Sequence, residues 1–136
     1  CQVVPAVNQI ELHPYFQNGA VDGYGREHGI ATEAWSPIAQ GQIEGDPVLT
    51  EIAAETGRSL AQVTLRWHVQ RGNIVFPKSR RPERMAENIA LFDFELSDEQ
   101  MARIDALDGG PEELAAHMAS ETKRWTEVAT AAGLKK

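Results

Sequence analysis

Three strand-like segments alternate with helical segments along most of the chain, and the connections between them are too long for hairpins. The sequence predicts strands at 3–12, 30–36 and 73–76, where β-branched and apolar residues are concentrated. Strands joined through helices form a parallel sheet with right-handed crossovers. Doubly wound sheets and (β/α)8 barrels both satisfy this pattern, so the spacing predicts an α/β fold. In both architectures, ligands bind where strands end and helices begin.

Capping signals place the helices between and after these strands. Asp46 precedes Pro47, and Ser59 precedes a strongly apolar segment, as expected at helix N-termini. Ser97 with Gln100 three residues later forms a capping box. The predicted helices span residues 20–28, 47–56, 60–71, 82–92, 97–107 and 112–133.

The composition argues against several classes of partner. Lys and Arg number 13 against 20 Asp and Glu, and a net charge of −7 disfavours nucleic acid and anionic membranes. The single cysteine, Cys1, excludes an internal disulfide and a cysteine-rich metal site. No apolar run reaches the ~20 residues of a membrane span. We expect a cytoplasmic protein without a metal, and a chain that begins with Cys is expected to be a piece of a longer one.

Polar side chains lie in the second half of the first predicted strand. Asn8 and Gln9 fall on opposite faces if the strand alternates. Burying an unpaired amide costs about 1–3 kcal/mol, so these groups need partners. Pairing with a neighbouring strand would satisfy them. Binding of a polar ligand such as a carboxamide, to Gln9 and with it Asn8, would also do so, and the strand alone leaves both readings open.

The second predicted strand ends in Trp35, Ser36 and Pro37. An indole ring beside a hydroxyl and a proline-fixed turn suits a planar ligand that carries a phosphate, since the ring can stack and the hydroxyl can donate. The alternative is that Trp35 belongs to the core, because aromatic side chains bury large areas in any fold.

The third predicted strand runs directly into Lys78 and Ser79 at the start of a helix. A helix N-terminus presents unpaired N–H groups and about half a positive charge. Arg84, within the first turns, can form a bidentate pair with a phosphate. These residues predict a site for a phosphomonoester.

Further polar residues beside this cluster predict a purine nucleoside on the same ligand. Arg80 can lie flat against a base, and Glu87 and Asn88 share the helix face of the phosphate-binding arginine. The alternative is a solvated basic patch that balances Glu83 and Glu87. In chain order, the polar residues at the three strand ends suit the carboxamide, the ring with its phosphates, and the phosphorylated adenosine of NADPH. No GxGxxG motif is present, so a Rossmann-type mode is not indicated.

Four stretches carry a family resemblance that covers residues 3–108: "VVPAVNQIELHPYFQ", "HGIATEAWSPIAQG", "DPVLTEIAAETGRSLAQVTLRWHVQRGNIVFPKS" and "RPERMAENIALFDFELSDEQMARIDALD". They resemble the C-terminal half of the aldo-keto reductase family. The resemblance implies the last part, about three βα units, of a TIM (β/α)8 barrel that transfers hydride from NADPH to aldehydes or ketones of small molecules.

The resemblance also implies how the cofactor would be bound. Gln9 would contact the nicotinamide carboxamide, Trp35 would stack on the ring, and Ser36 with residues 38–41 would serve the pyrophosphate. The 2′-phosphate would be bound by Lys78, Ser79 and Arg84. The adenine would pack on Arg80, with Glu87 and Asn88 at its edge. The implied set is Asn8, Gln9, Trp35, Ser36, Pro37, Ile38, Gln40, Gly41, Lys78, Ser79, Arg80, Arg84, Glu87 and Asn88.

Two departures from the family pattern limit this expectation. The catalytic residues of the family belong to the first half of the barrel, so we assign none here and expect the isolated chain to be inactive. Residues 111–136 instead resemble the C-terminal end of tripartite tricarboxylate-type periplasmic receptors, which predicts one unit at 1–108 and a helical tail of different origin at 109–136. The alternative function is a non-catalytic nucleotide- or phosphate-binding fragment or a fusion remnant. Three βα units leave open sheet edges, so we also expect self-association.

Overall fold

The computed structural model describes residues 3–109, 119, 122–124 and 126–131. Within 3–109, three parallel strands form one sheet in the order β1-β2-β3, with β1 at Val7–Glu11, β2 at Ala31–Trp35 and β3 at Ile74–Val75. The predicted parallel α/β arrangement is confirmed. The helices are α1 (Gly19–Glu27), α2 (Pro47–Thr56), α3 (Leu60–Gln70), α4 (Pro82–Ile89) and α5 (Asp98–Asp105), with a short 3-10 turn at Ala39–Gly41.

The strands are shorter than the sequence predicts because pairing limits them. Register between β1 and β2 begins at Val7 opposite Ala31, so residues 3–6 lie beyond the end of the ladder and Val3 is 76% exposed. β3 pairs with β2 only through Ile74 and Val75, which excludes the predicted strand residues 73 and 76. The apolar composition of residues 3–6 therefore did not suffice to predict a strand there.

Local capping explains why most helices begin where the sequence predicts. The Asp46 carboxylate accepts from the backbone N–H of Leu49 at 2.9 Å. Ser59 and Ser97 each form a capping box with the glutamine three residues later. Helix α2 ends where predicted, with Gly57 in the left-handed region at φ 65°. These bonds satisfy backbone groups that a helix end would otherwise leave unpaired.

Helix α4 ends at Ile89, three residues before the predicted end. The side-chain amide of Gln62 donates to the carbonyl oxygens of Glu87 and Ala90, and the guanidinium of Arg66 donates to that of Leu91. Side chains of α3 therefore take over carbonyls that a longer helix would use, and the chain turns away. This long-range pairing explains why the predicted range 82–92 was wrong at its end.

The core lies between the sheet and the helices α2, α3 and α5. Trp67 of α3 is fully buried, and its indole Nε1 donates to the carboxylate of Asp105 at 2.8 Å. Burying side chains of this size contributes roughly 1.5–3 kcal/mol each, so α3 is the central element. The fully buried aliphatic residues that pack in one cluster with Trp67 are Leu12, Leu49, Ile52, Val63 and Ile104.

The predicted tail helix at 112–133 falls largely outside the described residues, which are helical at 122–124 and 126–131. The division predicted after residue 108 stays a prediction. Among the described residues, none of the helices has the length and apolar character required to cross a bilayer.

Candidate functional site

A cleft of about 560 Å³ lies between the loop that follows β2 and the segment that leads from β3 into α4. Since β2 and β3 run parallel, both segments leave the same edge of the sheet. The cleft brings together many of the predicted site residues with others from the start of α3. It is lined by Ile38, Gln40, Gly41, Ile43, Glu44, Ser59, Leu60, Ala61, Lys78, Ser79, Arg84, Glu87 and Asn88.

The loop after β2, residues 36–41, has an unusual backbone, and we call it the left-handed loop. Ser36, Ala39 and Gln40 have φ of 52°, 48° and 52°, although none of them is glycine. Each such residue costs of order 1–3 kcal/mol, and backbone strain of this kind is found mainly at ligand clamps and active sites. Two backbone hydrogen bonds close the loop: Ala39 N–H donates to the Ser36 carbonyl oxygen at 2.8 Å, and Gly41 N–H donates to the Ile38 carbonyl oxygen at 3.1 Å.

The cations on the opposite wall are not matched by carboxylates. In the described part of the chain, Lys78 and Arg84 on this wall, and Arg80 just outside the cleft, form no ion pair within 4 Å. No direct ion pair joins these cations to Glu83 or Glu87 in the described chain, and the alternative of a solvated basic patch stays open beside that of an anion site. Unpaired guanidinium and ammonium groups on a concave wall retain all their donors for an anion.

Acidic groups in the same cleft limit what it can bind. Glu44, which sequence reasoning missed, and Glu87 both line the cleft beside Lys78 and Arg84. A ligand that fits must place its anionic part on the cations and present donors to the carboxylates. A phosphorylated nucleoside can do both, because its ribose and purine carry N–H and O–H donors.

The wall formed by α4 is fixed from both ends. At its start, the Ser79 hydroxyl oxygen accepts from the backbone N–H of Arg81 at 3.1 Å, which shapes the turn into the helix. At its end, the Gln62 amide holds the carbonyls of Glu87 and Ala90 at 3.3 and 3.0 Å. The side chain of Arg84 is thus exposed on a rigidly held helix.

Trp35 lies outside this cleft and is 44% exposed, which excludes the alternative that it belongs to the core of the described chain. It is the last residue of β2 and shares the face of Gln9 and Glu33, since Gln9 is opposite Glu33 and Glu11 is opposite Trp35 in the register. An indole face is thus available for stacking beside a polar pair.

Gln9 is paired across the strands, as one of the two readings of the sequence proposed. Its amide donates to the carboxylate of Glu33 on β2. Asn8 is opposite Thr32, on the other face of the sheet, where Thr32 is buried and donates to Asp22 at 2.8 Å. The structure therefore does not bring Asn8 and Gln9 together at one ligand group.

Several predicted residues do not line the cleft itself. Some of them lie on the sheet or at the base of the left-handed loop, next to the cleft, and Arg80 lies on the segment that enters α4. The predicted residues outside the cleft are Asn8, Gln9, Trp35, Ser36, Pro37 and Arg80. Residues missed by the sequence include Ser59 and Leu60, whose cap signal marked a helix start but gave no sign of its position in space.

His68 is a second residue that the sequence did not single out. It is completely buried in α3, and its Nε2 lies 3.0 Å from the carbonyl oxygen of Pro37, at the base of the left-handed loop. Burial lowers the pKa of His68 from 6.5 to about 4; the hydrogen bond to Pro37 acts in the opposite direction, and the charge of Arg71 lowers the pKa further. The available signal was a histidine directly beside Trp67 in a helix rich in apolar residues.

The sequence profile described as "Aldo/keto reductase family" matches residues 2–109. The chain belongs to the aldo/keto reductase family. Among curated members, it is 53% identical over 108 residues to an aldo-keto reductase of Mycolicibacterium smegmatis, covering 79% of this chain and 39% of that protein. It is 52% identical over 121 residues to morphine 6-dehydrogenase of Pseudomonas putida, covering 79% and 41%.

Solved structures of the family confirm the predicted fold, the last part of a (β/α)8 barrel. Gox0644 in its apo form superposes with a TM-score of 0.79 at 44% identity, covering 81% of this chain and 41% of that one. A mutant of Gox0644 in complex with NADPH gives 0.77 at 46% identity, covering 79% and 40%. The chain thus spans about two-fifths of the length of these relatives. The resemblance of residues 111–136 to periplasmic receptors stays an expectation.

Proposed function

We propose that this chain supplies the NADPH-binding part of a reductase that acts on aldehyde or ketone groups of small molecules. The observation that carries the proposal is the cleft, where a strained loop faces cations that have no carboxylate partner in the described chain. Membership of the aldo/keto reductase family and the NADPH complex of Gox0644 support the choice of cofactor.

The residues of the cleft fit the adenosine end of this cofactor. Lys78, Ser79 and Arg84 are proposed to hold the 2′-phosphate, since they offer charged and hydroxyl donors on one wall. Arg80 is proposed to pack on the adenine, with Glu87 and Asn88 at its edge. The carboxylate of Glu87 is able to accept from the exocyclic amine of adenine, which gives an acidic residue a place beside a phosphate site.

The left-handed loop and the exposed face of the sheet fit the remainder of the cofactor. Ser36 and residues 38–41 are proposed to serve the pyrophosphate, and Trp35 to stack on the nicotinamide ring. Gln9 is proposed to contact the carboxamide, for which it must share or release its bond to Glu33. When bound, NADPH supplies the hydride, and the chain positions the ring that carries it.

No residue of this chain is assigned as the general acid that carbonyl reduction requires. We propose that the isolated chain is inactive, and that activity needs the part of the family barrel that this chain does not span. The protein is proposed to act in the cytoplasm.

The test compares adenosine 2′,5′-bisphosphate with 5′-AMP, which lacks only the 2′-phosphate, by calorimetric titration of the full chain. We expect the bisphosphate to bind at least about tenfold more tightly, as a few charged hydrogen bonds would give. Arg84→Ala should remove this preference. Arg81→Ala is the matched control, because Arg81 is an exposed neighbouring cation outside the cleft. Equal affinity for the two nucleotides would refute the 2′-phosphate assignment.

A non-catalytic nucleotide-binding module is the second candidate. One observation favours it: the residues that line the cleft all fall within 38–88, so the cleft forms without any further part of the family barrel. Both candidates predict nucleotide binding without turnover by this chain alone, so the test joins it to the part of a family barrel that it does not span. Carbonyl-dependent oxidation of NADPH by that fusion would support the reductase, whereas nucleotide binding without oxidation would support the binding module.

We also propose that the chain self-associates through its open edge at β3. Large apolar side chains next to β3, at the end of α4 and just beyond it are exposed: Phe76 at 68%, Ile89 at 73% and Phe92 at 74%. Apolar groups beside an unpaired strand edge favour association. Sedimentation velocity across a concentration series should show a rising average mass, and a monomer at all concentrations would contradict this.

A further inference from the structure

The left-handed loop is held by a side chain from another element. His68 of α3 is separated by 31 residues in sequence from Pro37, yet its Nε2 lies 3.0 Å from the Pro37 carbonyl oxygen. Because a carbonyl oxygen can only accept, Nε2 must carry the proton and donate. Both residues are buried, so this bond is shielded from water.

A second contact determines which ring nitrogen of His68 is protonated. The side-chain Nδ2 of Asn73 lies 3.4 Å from His68 Nδ1, and the backbone N–H of Asn73 donates to the His68 carbonyl at 3.0 Å. With an amide donor facing Nδ1, the neutral ring retains its proton on Nε2, which faces Pro37. Burial favours this neutral form because it lowers the pKa of His68.

We propose that His68 is a positioning residue for the left-handed loop, which it holds in its binding conformation through the Pro37 carbonyl. The inference rests on the proposed function, since that assigns the loop to the pyrophosphate. The strained residues Ser36, Ala39 and Gln40 need such support, because the loop's own side-chain bond, from Gln40 to Ser36, is long at 3.3 Å. Asn73 acts one step further away, by orienting His68.

The experiment uses two ligands that differ in the group the loop is proposed to bind. 2′-AMP carries adenine, ribose and the 2′-phosphate, whereas 2′-phospho-ADP-ribose adds the pyrophosphate and a terminal ribose. His68→Met removes the donor at similar volume, and His68→Gln retains an N–H donor. Affinities of the full chain are measured by calorimetry, with thermal unfolding of each variant as a control for folding.

We expect His68→Met to weaken binding of 2′-phospho-ADP-ribose about five- to tenfold, as expected for a lost hydrogen bond. Binding of 2′-AMP should change by less than about twofold, and His68→Gln should restore most of the loss. An equal loss for both ligands, no loss for either, or no rescue by Gln would overturn the inference. If His68→Met does not fold, Asn73→Leu replaces it, and the same two ligands decide.

Binding of neither ligand by the wild-type chain would refute the proposed function. Hydrogen exchange would then decide whether His68 holds the loop. Faster exchange of the Ala39, Gly41 and Gln42 amides in His68→Met, with unchanged exchange in α2, would support the anchoring, whereas unchanged loop amides would refute it.

Discussion

Arg71 and Arg84 carry the same guanidinium group in opposite situations. Arg71 contacts Asp105 at 2.6 Å, Gln17 at 3.2 Å and Asp22 at 3.8 Å, and lies 4.8 Å from the ring centre of Trp67. Arg84 is exposed on the wall of the cleft and forms no ion pair within the described chain. A charged side chain that stabilises the fold is paired within the chain, whereas a charged side chain without such a partner is available to a ligand.

The same contrast holds between whole regions. Several polar side chains of α3, and Arg71 at its end, each form at least one hydrogen bond to another segment, although the buried Nε of Arg71 has no hydrogen-bond partner among the described residues. We call these residues the α3 network: Gln62, Arg66, His68, Gln70 and Arg71. The cleft has the opposite character, with unpaired cations and a strained loop. Mutations in the first region should therefore change stability, and only Gln62 and His68, which contact the two walls of the cleft, should also affect binding. Mutations in the second region should change binding.

The largest effect is expected from acid on His68. Its folded-state pKa, about 4, lies below the unfolded value of 6.5, so the unfolded chain binds the proton first as the pH falls. The stabilisation from the neutral ring is complete above about pH 6.5 and is lost towards pH 4, by about 3 kcal/mol. Chemical denaturation across this range should show a steeper loss for the wild type than for His68→Gln. Parallel curves would contradict the assignment.

The second effect is the loss of stability in Arg71→Met. Asp22, with only 4% of its side chain exposed, would lose one of its cations, and Asp105 would lose its shortest contact. We expect unfolding to become easier by about 2 kcal/mol, since a partly buried network is broken. Urea denaturation measures this, and Arg84→Ala is the control that should stay within about 0.5 kcal/mol of wild type. Equal losses in both variants would abolish the distinction between the regions.

The third effect concerns binding. Arg84→Ala should weaken the binding of adenosine 2′,5′-bisphosphate by about tenfold and leave the affinity for 5′-AMP unchanged. Only the bisphosphate carries the 2′-phosphate that is proposed to contact Arg84. Arg71→Met should leave the ratio of the two affinities unchanged at a temperature where it is folded. A change in that ratio for Arg71→Met would show that Arg71 acts on the cleft as well as on stability.

The smallest effect is expected from Arg103→Ala. Arg103 pairs with Glu51 at 2.7 Å and Glu55 at 2.8 Å across two helices, but these carboxylates are 70% and 45% exposed. Exposed ion pairs contribute little, since water and salt screen them. Its melting temperature should lie much closer to wild type than that of Arg71→Met, and a comparable drop would show that exposure does not rank these pairs.

Features set by neighbouring residues could be predicted from the sequence. Helix starts at Asp46, Ser59 and Ser97 depend on bonds within four residues, and all three are present. The cations of the cleft were recognised because Lys78 and Arg84 follow one strand directly in sequence. The α/β class followed from segment order, and membership of the barrel family came from motif resemblance.

Features that depend on packing between distant segments could not be predicted. The bond from Gln9 to Glu33 requires the register of two strands, and that from His68 to Pro37 requires the placement of α3 against the loop. The early end of α4 is set by Gln62, more than twenty residues away in sequence. No local pattern encodes any of these contacts.

One helix contacts both sides of the cleft. Gln62 and His68 belong to α3, and they hold the end of α4 and the base of the left-handed loop respectively. Six residues of helix separate them by about 9 Å along its axis. The spacing of these two contacts along α3 therefore sets the width of the cleft. One residue inserted between Gln62 and His68 would rotate one contact by about 100° around the helix axis and misalign the two walls for any ligand that spans them.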